Sequence, residues 1–310
     1  MENLYREYLN VENDSENPLN RENLQDFICE CEQNFKDKVS RIAQKIESDK
    51  IDFVLVSGPS SSGKTTFVHR LAHKLRDMNR TSIRISLDNY FLDKEAFLKQ
   101  DFVDIDFESI NAIDTVSFFA HMDAIIQNEV VNLPIYDFSI GARSDQSVTV
   151  DGAKCDVVMI EGLHALNDMI LETLKSYHVL TIFLHPTPEI MLEDHKKMVG
   201  KDLRLLRRLV RDFNFRSSSV LNTFNLWVNV RRGETLYVYP ESKNAEIEVD
   251  TTHLYEIGVL KRQAEELLGA VTEDSKYYSE ALRLLKILNQ FEEIDHNMVP
   301  QDSLLREFIG

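Results

Sequence analysis

Glycine, proline, cysteine and tryptophan are all scarce in this chain: 10, 7, 3 and 1 among 310 residues. With so little glycine, a glycine-rich pattern is unexpected by chance and carries information where it occurs. The three cysteines, Cys29, Cys31 and Cys155, are an odd number, and no secretory signal accompanies them. That excludes a disulfide framework. Cys29 and Cys31 are two apart on an expected helix, where such residues do not face each other, so they read as reduced thiols. No apolar run approaches the ~18 residues of a membrane span. Basic residues are outnumbered, 35 Lys and Arg against 52 Asp and Glu, for a net charge of −17. A polyanion would be repelled, which argues against a nucleic-acid partner. The opening MENLYREYLNVEND is acidic and polar, unlike secretory or transit segments, and the expected compartment is the cytoplasm.

What is present is a regular alternation. The stretch 21–48 shows helical spacing through Leu24, Phe27, Ile28, Phe35, Val39, Ile42 and Ile46; residues 1–20 read as a loose arm. Short apolar strands are expected at 53–57, 81–87, 147–150, 156–162, 180–184 and 245–249. Helices are expected at 65–75, 114–128, 187–215, 253–268 and 276–292, and the chain closes on SLLREFIG. Strands alternating with helices predict an α/β fold with a mainly parallel sheet flanked by helices; the segment 58–66, G-x-x-x-x-G-K-[ST], makes it of the P-loop NTPase type. Boundaries near 50 and 271 divide it into a helical extension (1–50), a core domain (51–271) and a second helical extension (272–310).

The segment GPSSSGKTT, residues 58–66, satisfies G-x-x-x-x-G-K-[ST] through Gly58, Gly63, Lys64 and Thr65. A strand precedes it and an amphipathic helix follows. Glycines let backbone N–H groups of Ser60, Ser61, Ser62 and their neighbours close on phosphate oxygens. The helix beginning at Thr65 and Thr66 turns its positive end to the same anion. Lys64 reaches the outer phosphates and the Thr65 hydroxyl suits Mg2+. The expected cofactors are ATP or GTP with Mg2+.

Three further features bear on where the phosphate goes. Asp88, in SLDNYF, follows a strand, where ligands bind in open α/β sheets; it reads as a base for an attacking hydroxyl or as a turn cap. Glu161, in MIEG, ends another strand and suits Mg2+ or its waters. In RLLRRLVRDFNFR, Arg204, Arg208 and Arg211 fall on one helical face, with Arg207 and Arg216 nearby. They read as a phosphate-closing lid or as a solvated face paired with Asp202 and Asp212. Arg231 and Arg232 read equally as phosphate contacts or surface charge. Among the scattered histidines, His164 stands nearest to this chemistry, and no metal-binding His/Cys spacing occurs.

Taken in order, GPSSSGKTT, SLDNYF, DFESINAID, LPIYDFSIGAR, VVMIEGLHAL and RLLRRLVRDFNFR resemble the uridine kinase and phosphoribulokinase family over roughly residues 50–270. More closely, they resemble its bacterial uridine kinase-like members with terminal extensions. The resemblance implies transfer of phosphate from an NTP to the 5′-hydroxyl of a ribonucleoside, most simply uridine or cytidine. It implies Asp88 as catalytic base, also near the metal, with Lys64 and Thr65 on phosphate and metal and Glu161 on the metal side. It places Glu108 on the ribose hydroxyls, Tyr136 and Phe138 against the nucleoside, Arg208 on the nucleoside side, and Arg211 and Arg216 on the phosphates. Two positions depart from the pyrimidine-reading pattern: Gly141 stands where a His is usual, and Leu226 where a polar residue is usual. Another small hydroxyl acceptor, or a nucleotide-gated switch, is therefore kept beside the nucleoside reading. The partner expected is a small molecule, with no membrane and with self-association left open.

Overall fold

The alternation of β-branched strands with amphipathic helices produces seven strands among the described residues. They are β1 (Phe53–Ser57), β2 (Ser82–Ser86), β3 (Val130–Asp137), β4 (Ala142–Asp151), β5 (Val157–Glu161), β6 (Val179–His185) and β7 (Ile247–Asp250). The computed structural model describes residues 21–93, 106, 108–138, 140–188, 190–192 and 195–310. The expected arm at 1–20 lies outside them. One sheet has the order β2-β5-β1-β6-β7, and β3 and β4 form a separate pair. β1 pairs in parallel with β5 and β6, and β2 with β5. The α/β fold with a mainly parallel sheet is what the pattern predicts. β1 and β5 are buried along their whole length, as strands covered on both faces must be.

The chain divides into two compact units. The sheet unit comprises Lys38–His185 and Asn225–Val249. It carries the sheet, α2 (Lys64–Asp77), α3 (Thr115–Ile126) and α4 (Asp168–Thr173), following α1 (Arg21–Ser48) in the chain. Its core joins Leu55, Ile83, Ile85, Phe118, Met122, Val158 and Ile160. Asp114 caps α3 by accepting from Ser117 N–H at 3.0 Å, the cap chemistry expected at a helix start.

The helical unit takes the chain up to Asp37, Pro186–Phe224 and Asp250–Gly310. It contains α5 (Gly200–Arg216), α7 (Glu256–Gly269), α8 (Tyr278–Leu288) and α9 (Arg306–Ile309); α6 (Val220–Gly233) crosses the division. Every residue of α5 from Asp202 to Asp212 is buried. A buried helix with this many charges needs each of them paired. Arg207 and Glu256 are both fully buried, with Nε–Oε2 at 2.6 Å and Nη2–Oε1 at 2.9 Å. Arg207 Nη2 also donates to the Thr251 carbonyl at 2.9 Å.

One expectation is corrected, and one strand was not foreseen. The helix expected at 187–215 begins only at Gly200. Pro186 and Pro188 precede it; proline lacks an N–H and disfavours helical geometry in the residue before it. Met191 and Lys197 instead form an isolated bridge. β3 is a strand that no expectation named, because Pro134 interrupts its pattern. Its register with β4 shifts between Pro134 and Tyr136, the irregularity at which a strand tolerates proline.

Removing one member of the Arg207–Glu256 pair leaves an uncompensated buried charge. Arg207→Met should cost about 3–5 kcal/mol, and Arg207→Met with Glu256→Leu much less. Chemical denaturation checks this; a single variant within about 1 kcal/mol of the parent would show that the pair does not hold α5.

Candidate active site

Ser57 ends β1, and the chain turns at Gly58 with φ 155°. A Cβ at this position would lie 2.1 Å from the Leu184 carbonyl oxygen, so only glycine lets the turn pass β6. Ser61 and Gly63 both have positive φ, 59° and 88°. Alternating handedness turns successive N–H groups inward, as in an anion nest. Gly63 is the N-cap of α2, whose first residues are Lys64, Thr65 and Thr66. Lys64 Nζ donates to the Gly58 and Pro59 carbonyls at 2.9 and 3.2 Å, lying over the loop's own backbone. Ser61 and Ser62 are buried within it.

Parallel pairing brings the acidic candidates to the same edge. Glu161, the last residue of β5, is in register with Val56 of β1 and Ser86 of β2. Asp88 follows in the short turn Leu87–Tyr90. Thr65 Oγ1 donates to Glu161 Oε1 at 3.4 Å. These are hard oxygen donors of the kind Mg2+ prefers. Among the described residues no group of three or more His, Cys, Asp or Glu is placed to hold a metal alone. Thr65 and Glu161 therefore fit a cation that takes most of its ligands from water and phosphate, as Mg2+ does.

The wall beside Asp88 is built around His164. This buried ring donates Nε2–H to the Glu108 carbonyl, 2.9 Å away. Burial holds its pKa below the ordinary value, against the Glu108 hydrogen bond and the charges of Asp88 and Asp106; Lys64 adds to the lowering. Lys64, Asp88, Asp106 and His164 thus share one electrostatic neighbourhood. Asp106 accepts from Glu108 N–H at 3.2 Å and from the Tyr237 hydroxyl at 3.0 Å, and pairs with Arg232 at 3.1 Å. Tyr136 and Phe138 lie on and just past β3, with Phe91 at ring distances of 5.7 and 6.1 Å. Asn89, next to Asp88, accepts the Tyr136 N–H at 3.1 Å. Tyr136 is buried, while Phe138 is 42% exposed.

The structure therefore gathers Gly58 through Thr66, Asp88, Glu108, Glu161, Tyr136 and Phe138 in the sheet unit. Arg208, Arg211 and Arg216 belong to the helical unit, where all three meet the buried carboxylate of Asp212. Their nitrogens lie 3.1, 2.7 and 3.8 Å from it. Arg204, expected on the same face, is itself buried. Gly141 has φ 69° and donates its N–H to the Asp137 carbonyl at 2.8 Å, so a left-handed turn explains its glycine. Leu226 is 43% exposed.

Two glutamates were not foreseen. After Gly233 the helix widens into a π-turn, Glu234–Val238, a distortion common at functional sites. It turns Glu234 fully inward, where Oε1 accepts the Ser60 N–H at 3.1 Å and Oε2 meets Arg231 at 2.8 Å. Gly233 leaves room for Glu108, since a Cβ there would come within 2.1 Å of the Glu108 Cβ. Glu241 Oε2 faces His164 Nδ1 at 4.0 Å, and both atoms are buried without a hydrogen bond. Desolvation pushes the Glu241 carboxyl up to about 7, opposed by the Asn167 hydrogen bond. Helical periodicity cannot signal a π-turn, so neither residue had a legible cue in the sequence.

The nest, the adjoining helix and the two strand-end carboxylates define a P-loop kinase. The model of the Phosphoribulokinase / Uridine kinase family matches residues 53–257, and the chain belongs to that family. It is a phosphotransferase acting on a hydroxyl acceptor. Curated relatives include the uridine kinase of Ureaplasma parvum serovar 3, 28% identical over 197 residues, which span 63% of this chain and 86% of the relative. The uridine kinase of Borrelia turicatae is 25% identical over 198 residues, 64% of this chain and 85% of the relative. Among solved structures, a Silicibacter sp. TM1040 protein described as a fructose transport system kinase superposes with a TM-score of 0.52 at 17% identity. It covers 68% of this chain and 98% of its own, and the likeness is one of fold.

Glu234→Ala should remove the acceptor of the Ser60 N–H and raise KM for NTP by roughly 5- to 150-fold, from the ~1–3 kcal/mol of an unsatisfied buried group. An unchanged KM would remove Glu234 from the cradle. Glu241 gives a pH signature. A carboxyl raised from its ordinary 4.5 to about 7 stabilises the fold fully below the unfolded value, and this is lost as pH rises toward 7. Glu241→Gln, which imitates the neutral acid, should gain Tm over the parent as pH goes from 4.5 to 8, at about 2–4 °C per kcal/mol. A difference independent of pH would show that folding does not raise the Glu241 pKa.

Proposed function

We propose that the protein transfers the γ-phosphoryl group of ATP or GTP to the 5′-hydroxyl of a ribonucleoside, most simply uridine or cytidine, giving UMP or CMP. The observation that carries this is the placement of Asp88. It follows the strand beside Glu161 and shares an electrostatic neighbourhood with Lys64 and the His164–Glu108 wall.

In this reading the acceptor oxygen forms the new bond to the γ phosphorus while its proton passes to the Asp88 carboxylate. The bond to the β-phosphate oxygen breaks, and the diphosphate leaves with the electron pair. Lys64 and the Gly58–Thr66 nest hold the outgoing phosphate charge. Thr65 and Glu161, with Asp88 nearby, would hold Mg2+, which when bound would supply charge neutralisation. Glu108 receives the sugar hydroxyls, and Tyr136 and Phe138 present an aromatic surface to the base. By the family resemblance, Arg208 is assigned to the nucleoside side and Arg211 and Arg216 to the phosphates. The kinase domain is taken as 51–271, with 1–50 and 272–310 as extensions, and the expected location is the cytoplasm. Among the described residues no helix is long and apolar enough to cross a membrane.

A second reading, a kinase of another small hydroxyl compound, draws on Gly141 and Leu226. Neither carries a polar side chain with which to read a base edge, and hydrogen-bonded readout is the strong kind of discrimination.

Transfer from ATP and GTP across nucleosides, pantothenate and ribulose 5-phosphate tests both. Uridine or cytidine should be preferred, and Asp88→Asn should bind NTP but lose at least ~10²-fold in turnover. A different preferred acceptor selects the second reading. Near-normal turnover of Asp88→Asn removes Asp88 as base, and NTP consumption that no acceptor accelerates makes the protein a switch.

A further inference from the structure

Helix α5 is held at three levels inside the helical unit. In its first turn, Asp202 accepts both Nη groups of Arg283 at 2.8 Å, and Arg283 is itself held by Glu280 at 2.8 and 2.7 Å. At mid-helix, Arg207 is gripped by Glu256 and Thr251, with the Phe308 ring centroid 5.1 Å from its guanidinium carbon. In the last turn, Asn214 Nδ2 donates to the Phe308 carbonyl at 3.0 Å.

Phe308 thus touches α5 twice, by its ring at Arg207 and by its carbonyl at Asn214, two helical turns apart. It is fully buried, and the segment that carries it is built in. The Ser303 hydroxyl donates to Glu32, which also accepts the Tyr255 hydroxyl at 2.6 Å. Arg306 gathers the carbonyls of Pro300, His296, Val299 and Gly310.

Between the two contacts lie Arg208 and Arg211, crowded with Arg216 around the single carboxylate of Asp212. Guanidinium groups this close repel one another, so their directions depend on how firmly the helix is held. We propose that the segment Ser303–Phe308 is a positioning element for phosphoryl transfer: by fixing α5 at Arg207 and Asn214, it sets the aim of Arg211. This rests on the reading of Arg211 as a phosphate-facing group. Phe308 touches no substrate and acts through the helix.

The test uses the full chain with ATP and uridine, or the best acceptor of the panel above, well below each variant's Tm. A misplacement of about 1 Å can cost ~10²-fold in rate. Phe308→Ala should lower kcat by roughly 10- to 100-fold with KM for ATP nearly unchanged. Asn214→Ala alters a side chain at the exposed end of the helix, so it keeps the test alive should Phe308→Ala fail to fold; it should shift kcat in the same direction, by less. Phe308→Ala combined with Arg211→Ala should be no slower than the slower single variant, because both act through one group. Variants that lose Tm but keep kcat, or losses that multiply in the double variant, overturn the proposal. If Arg211→Ala slows transfer and neither Phe308→Ala nor Asn214→Ala does, the proposal alone falls. If Arg211→Ala is itself silent, the reading beneath it falls and takes the proposal along.

Discussion

The approach of Gly58 to the Leu184 carbonyl is the contact on which the sheet unit's chemistry depends. β1 lies between β5 and β6, so its carboxyl end is hemmed in on both sides. A side chain at 58 would collide with β6 backbone, which cannot yield as a flexible side chain could. With glycine there, the loop folds over the sheet edge and enters α2 through a left-handed Gly63. Gly162 repeats the device after β5, where a Cβ would lie 2.7 Å from Leu87 Cβ. The loop after Glu161 therefore packs directly on the turn carrying Asp88. In a chain with few glycines, two are spent holding the two carboxylates and the phosphate nest at fixed separations.

Buried charge does the corresponding work in the helical unit. α5 carries arginines through a stretch with no exposed residue from Asp202 to Asp212. Such a helix is stable only where carboxylates and carbonyls meet the guanidinium groups, since an unpaired buried ion is prohibitive. The partners come from distant parts of the chain: Thr251 and Glu256 before and within α7, and Arg283 for Asp202. Pairing of this kind fixes rotation and register more strictly than apolar packing, which tolerates repacking. The helix is consequently an element of defined orientation, with Arg207 committed to structure and Arg208, Arg211 and Arg216 sharing Asp212.

Much of this could be read from the chain itself. Strand and helix alternation predicted the parallel sheet because period and burial are local properties of sequence. The nest was legible because backbone geometry demanded glycine at fixed spacing. Asp88 was legible just beyond an apolar strand, and Glu161 as the end of one. The arginine run was legible in composition but not in role, because burial depends on partners as far away as Glu256 and Phe308. β3 hid behind Pro134. Glu234 and Glu241 hid behind a π-turn, which changes the direction of a side chain without changing the residues that precede it. The tail motif SLLREFIG was visible as a pattern, while its meaning lay in a hydrogen bond from Ser303 to Glu32, far off in sequence.

The distribution of charge in the sheet unit bears on the kind of acceptor that suits it. Arg231 is committed to Glu234 and Arg232 to Asp106. Asp88, Asp106 and Glu108 contribute carboxylates beside the wall that His164 supports, and burial favours the neutral imidazole there. A phosphate ester brought against such a wall would meet like charge without a free cation from Arg231 or Arg232 to offset it, at a cost that rises as water is excluded. Sugar hydroxyls instead donate to carboxylates and carry no charge to repel. This balance supports the proposed reading, in which the acceptor is a neutral polyhydroxyl compound rather than a phosphorylated one. In the same reading the Phe91, Tyr136 and Phe138 rings, tilted or edge-on to one another, would add apolar contact for a base that a sugar alone would not use.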